Sequence, residues 1–262
     1  MKQVVAIVVN TFRETVRDKV LYGILFFAVA FILFTIVLSE LSLHEEKRII
    51  ADLGLSGISL VSLILAVVLG VGMLTKEIDK KTLYPILSKP VARWQFVLGK
   101  YLGINLTLLV QVAVMAAVFT AVLAFKGGTL TWPFVLSLYL IFLEILVITS
   151  IAMLFSSFST PFVSGLLTLG VFIVGRNLDL LQAFIRKGKV GPMADLLAQV
   201  PHVFPNLYLF YPSGRAIDES WVTLHGSFVH LDYLASATSY GLVYASVCLL
   251  LAMAVFSRRD LI

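Results

Sequence analysis

Six long apolar stretches separated by short polar gaps restrict this chain more than any other feature: Val20–Leu41, Leu53–Leu74, Tyr101–Phe125, Pro133–Phe158, Pro161–Gly175 and Ala235–Phe256. A bilayer core about 30 Å thick takes about 20 helical residues to cross, and five of the six stretches are that long. Lipid offers no partners to backbone N–H and C=O groups, so each stretch must satisfy them internally as a helix. The expected fold is an all-α polytopic membrane protein with six transmembrane helices.

Charge orients the bundle. Lys2, Arg13, Arg17 and Lys19 precede the first span, and Arg258 and Arg259 follow the last. Lys76, Lys80, Lys81, Lys89, Arg93 and Lys100 lie between spans 2 and 3, which puts 12 of the 20 basic residues on one face. Cytoplasmic loops carry the Lys/Arg excess, so both termini are expected in the cytoplasm and the protein in the inner, cytoplasmic membrane. The net charge of +5 follows from these loops and does not point to nucleic acid. The single cysteine, Cys248, lies within the last span and reads as a small apolar residue.

Residues 1–19 are too polar to span. Val5, Val8, Val9, Phe12 and Val16 recur at helical spacing against Gln3, Asn10, Arg13, Glu14 and Arg17, which predicts an amphipathic helix in the membrane interface. Residues 75–100 form the most distinctive soluble stretch. Lys76–Leu87 is expected to form a short helix, and Ser88 to cap another with Pro90 in its first turn. Leu83, Tyr84, Trp94 and Phe96 make this charged segment more apolar than solvation requires, and aromatics and Arg are enriched where proteins dock. The alternative is a membrane-surface helix whose Lys and Arg meet anionic lipid. Residues 176–234 are expected outside, irregular, with Phe204, Tyr208, Phe210, Tyr211, Trp221, Phe228 and Tyr233 at the lipid–water boundary and short helices able to dip partway into the membrane.

Several chemistries find no motif. G-x-x-x-x-G-K-[ST], H-E-x-x-H, G-x-S-x-G and C-x-x-C do not occur. Energy from ATP must therefore reach this chain through a partner. His202, His225 and His230 share the external segment with Asp218, Glu219 and Asp232, but their spacing matches no metal signature, and no metal site is assigned. Glu144 is the one acid deep in a span, and such a group by default marks function. Its expected neighbours are Gln111 and Asn105, if spans 3 and 4 pack together. It serves either passage of substrate or protons, or a hydrogen-bonded carboxyl at a helix or dimer interface.

The string Ile86–Lys100 (I-L-S-K-P-V-A-R-W-Q-F-V-L-G-K), with Glu77 upstream, resembles the loop after span 2 of ABC-2 type transporter permeases. Asn10–Tyr22 and Phe256–Leu261 resemble the two ends of the same group, nearest to its NosY-like members associated with copper-enzyme maturation. Lys81 stands where many relatives carry glycine. The resemblance covers essentially the whole chain and implies one permease domain over residues 1–262, type V exporter-like, with a coupling helix between spans 2 and 3. It implies a homodimer, or a heterodimer with a related permease, and a separate P-loop ATPase that binds ATP and Mg while this chain binds no cofactor and is no enzyme. By position it assigns Glu77, Ser88, Pro90, Arg93 and Lys100 to the ATPase interface; Leu83 and Trp94 join them as apolar anchors. Two other readings stand beside it. One is a mechanotransmitter or membrane anchor that acts on an external partner protein. The other is an integral membrane enzyme, which would need a polar cluster at one membrane face.

Overall fold

The computed structural model describes residues 2–40, 46–79, 92–125, 132–178, 181, 199–201, 204–210, 215–217, 220–222 and 231–258. Seven helices make up nearly all of this: α1 (Lys2–Val16), α2 (Lys19–Glu40), α3 (Glu46–Asp79), α4 (Arg93–Phe125), α5 (Trp132–Phe158), α6 (Pro161–Arg176) and α7 (Leu231–Arg258). A 3₁₀ turn covers Leu207–Phe210. The strands β1 (Arg215–Ile217) and β2 (Ser220–Val222) pair antiparallel, with Ala216 opposite Trp221.

The apolar stretches correspond to α2 through α7. Among the described residues, four segments are long and apolar enough to cross a membrane: Asp52–Gly72, Arg93–Phe125, Trp132–Phe158 and Asp232–Arg258. The apolar parts of α2 (Leu21–Phe34) and α6 are shorter. The 16 residues of α6 reach roughly 24 Å, less than a full bilayer core.

Two boundaries differ from expectation. No separate helix begins at Lys76: α3 runs unbroken to Asp79. At the other side α4 begins at Arg93, about two turns before Tyr101. The cause is local. The Gln95 side chain accepts from the Ala92 N–H at 3.2 Å, while the Ala92 carbonyl accepts from the N–H groups of Gln95 and Phe96. This is one half of a capping box, with the N3 side chain reaching back to the cap N–H and alanine unable to return the bond. Buried Phe96 and Val97 then tie the extra turns to the bundle.

α5 is the central helix, packed against α3, α4, α6 and α7. It runs in the same direction as α3: Ser59 meets Glu144, and Ser156 donates to the Val71 carbonyl at 3.1 Å. The α5–α6 connection is tight. Thr160 is extended, Pro161 opens α6, and the Ser164 N–H bonds back to the Thr160 carbonyl at 2.9 Å; the Ser/Thr-Pro order predicts this start. Outward faces carry large exposed apolar groups such as Phe162, Leu166 and Ile173 on α6 and Leu242, Val243 and Leu250 on α7. Faces like these suit lipid rather than water.

After α6 the chain folds back into the helices. Leu207 and Phe210 are fully buried. The Pro205 carbonyl lies where any side chain on Gly175 would be, only 2.5 Å from a Cβ built there. The Tyr240 hydroxyl of α7 accepts from the Asn206 N–H at 2.8 Å. Phe210, expected at the lipid–water boundary, is instead a core residue against Gly241 and Tyr240.

Candidate functional site

Two places gather the polar and charged groups. The first is the base of α4. Here Arg93 Nη1 donates to the Ser257 carbonyl at 2.7 Å, one of the orphan acceptors at the end of α7. One turn on, the Phe96 ring stacks on Phe256 with centroids 6.1 Å apart, and both rings are buried. The opposite side of this turn meets α1. A Cβ on Gly99 would fall 2.7 Å from Ile7 Cγ2, and one on Gly103 would fall 2.6 Å from Thr11 Cβ. Gly99 and Gly103 form a G-x-x-x-G pair that lets the two backbones approach, the device of close helix pairs in membranes. Between them Lys100 is 2% exposed, its Nζ 3.3 Å from Glu14 Oε2 and 5.7 Å from the Phe96 ring centroid.

Of the residues expected to meet an ATPase, Trp94 is half exposed. Leu83, Ser88 and Pro90 lie outside the described residues, as does the side chain of Glu77, whose backbone belongs to α3. Lys100 and Phe96 do not form part of the outer surface. They are buried in helix contacts, Lys100 because its stem is covered by α1 and its charge is met by Glu14. The spacing of Gly99 and Gly103 could have signalled that this turn is packed against a neighbour.

The second place lies midway along the bundle. Glu144 on α5 is 3% exposed. Arg176, the last residue of α6, brings Nη1 to 3.6 Å from Glu144 Oε1. It also donates to Ser59 Oγ on α3 at 3.2 Å, and Ser59 Oγ donates to Glu144 Oε2 at 3.4 Å. The Arg176 guanidinium further sits 5.3 Å from the Phe172 ring centroid. Three helices thus share one charge-balanced cluster. Its geometry follows from the hairpin: Glu144 lies about four turns before the α5–α6 connection and Arg176 about four turns after it, so an antiparallel pair brings them level. Arg176, assigned to the external segment from the sequence, closes α6 and pairs across the hairpin with Glu144 on α5.

Gln111 and Asn105, expected beside Glu144, donate their hydrogen bonds within their own helix. Gln111 Nε2 turns to Met115 Sδ at 2.9 Å on its own helix, and Asn105 Nδ2 donates to the Tyr101 carbonyl at 2.8 Å. Both are buried, and Gln111 Oε1 has no hydrogen-bond partner among the described residues. A buried acceptor without a donor costs about 1–3 kcal/mol. Gln111→Leu is therefore expected to raise the thermal midpoint in detergent, and a lowered midpoint would show that this amide is satisfied in the membrane. The histidines His202, His225 and His230 lie outside the described residues.

A comparison with protein families finds a match over residues 5–261 to a model described as ABC-2 family transporter protein. No curated protein matches the chain closely enough to count as a relative.

Proposed function

Because the chain belongs to the ABC-2 transporter family, we propose that it is the permease subunit of an ATP-driven exporter, coupled to a separate P-loop ATPase. The observation that carries this reading is the family match over nearly all of a sequence with no P-loop of its own. Six helices cross the membrane, α2 with its 22 residues and the short α6 included, and both termini face the cytoplasm of a cell whose inner membrane holds the protein. Two copies pair and bind two ATPases. The strings Asn10–Tyr22 and Phe256–Leu261 support a reading of the chain as one of its NosY-like members.

The helix ends support the proposed direction of coupling. The start of α4 is tied to the end of α7 by Arg93, and the end of α5 to the α3 residue Val71 by Ser156. All of these ends lie on the side where the basic residues accumulate. ATP-driven closure of the ATPases would push on the segment between α3 and α4. The helices would then switch the permease between inward-open and outward-open arrangements.

The test is co-purification of a tagged chain with the ABC ATPase of the same genome, followed by ATP-dependent export in vesicles. Leu83→Asp with Trp94→Ala is expected to abolish association, since one buried aromatic anchor contributes about 2 kcal/mol or more to an interface, roughly 30-fold in affinity. Association that survives both changes, or transport by the chain alone, overturns the proposal.

A further inference from the structure

We infer that the first turns of α4 are a three-way junction that delivers the coupling movement to α7, the last helix, as well as to α1. This rests on the permease reading and adds positioning residues to it: Phe96 and Phe256 above all, with Gly99, Gly103 and the Lys100–Glu14 pair on the α1 side.

Within about three turns of one helix, two contacts hold α7 and three hold α1. Arg93 caps the α7 carbonyl end at 2.7 Å, and Phe96 stacks on Phe256 at 6.1 Å with ring planes 17° apart. Phe96 is 4% exposed and Phe256 1% exposed, so this stack is inside the protein and is not a surface contact that solvent can exchange. On the other side Gly99 and Gly103 bring α1 to backbone distance, and the buried Lys100 holds Glu14. Close-packed interiors move as units and do not deform continuously. A displacement entering α4 at Arg93 therefore moves the ends of α1 and α7 with it. α7 in turn lies along the central helix α5, with the Tyr139 and Thr238 hydroxyls bonded at 3.0 Å near the far end. The stroke thus has a direct route to α5 that bypasses α3.

The experiment uses the complex of the chain with its ATPase in nanodiscs, in a Cys248→Ser background. Nitroxide labels are placed in pairs on the exposed positions Leu102 (α4), Phe162 (α6) and Leu251 (α7). Distances are measured by pulsed EPR with and without ATP, Mg and vanadate. The expected result is that the 102–162 and 251–162 distances both shift with nucleotide while 102–251 stays constant. Phe96→Ala is expected to keep ATPase association and the 102–162 shift, to broaden 102–251, and to cut the 251–162 shift by at least half. Phe256→Leu, which keeps most of the bulk, gives a smaller loss of the same kind if the alanine variant does not fold. A 251–162 distance that does not respond to nucleotide, or that responds fully in both variants, overturns the inference and leaves the permease reading intact. An ATPase that never associates defeats both.

Discussion

Glu144→Leu is expected to destabilise the protein by about 3–5 kcal/mol, the usual cost of removing one partner from a buried ion pair. The change leaves Arg176 at the end of α6 with its charge 16% exposed and its carboxylate partner gone. A guanidinium cannot shed its proton, so losing this carboxylate weakens the balance of a largely buried cation or draws the end of α6 toward water. Arg176→Met is expected to cost less, because the stranded carboxyl of Glu144 can bind a proton and become neutral. The double variant Glu144→Leu/Arg176→Met removes both charges and is expected to recover most of the loss. The measurement is a double-mutant cycle of thermal midpoints in detergent. Strictly additive losses in the double variant would show that the two residues act independently and that the cluster does not pin α6 to α5. The arrangement neutralises the cation that ends α6 where it meets α3 and α5, and Pro205 and Leu207 pack beside Gly175 in the turn before it.

Gly103→Leu should force α1 away from α4, and Gly170→Ala should do nothing harmful, although both positions are helical glycines in the same protein. At Gly103 a Cβ would sit 2.6 Å from Thr11 Cβ and 3.0 Å from the Val8 carbonyl. The first obstacle is a branched side chain close to its own backbone, the second is backbone, and neither can give way without moving the helix. Overpacking of this kind costs about 1–3 kcal/mol. At Gly170 nothing among the described residues lies within 4 Å of a Cβ built there, so alanine gains up to about 1 kcal/mol of helix propensity. Opposite shifts in thermal midpoint are the expected outcome, together with faster proteolysis of α1 in Gly103→Leu alone. Equal tolerance of the two substitutions would mean that α1 is not seated on α4 in the membrane.

The elements were readable because long apolar runs admit only helix in lipid. The cap at Ala92 was not, since alanine carries no capping side chain and the signal rests on Gln95 alone. Glu144 stood out as a buried acid, yet Ser59 and Arg176 did not stand out as its partners. Proximity in sequence order favoured the preceding span, where Asn105 and Gln111 turned out to bond to their own helix. Counting residues from the Pro161 turn would have found Arg176, but only once the α5–α6 hairpin was assumed to be antiparallel and in contact. The burial of Lys100 against α1 was hidden for a related reason. A lysine next to a loop is ordinarily solvated, and nothing in its own residue type says that α1 covers it.

Hydropathy and the Lys/Arg bias were enough, without coordinates, to establish helices, their approximate extents and a membrane setting, because the cost of exposing backbone polar groups to hydrocarbon is local and large. Which faces meet was decided by the packed structure alone. Close approach at Gly99 and Gly103, the level matching of Glu144 with Arg176, and the stack of Phe96 on Phe256 depend on residues far apart in the chain. Their energies arise only when the helices are already side by side.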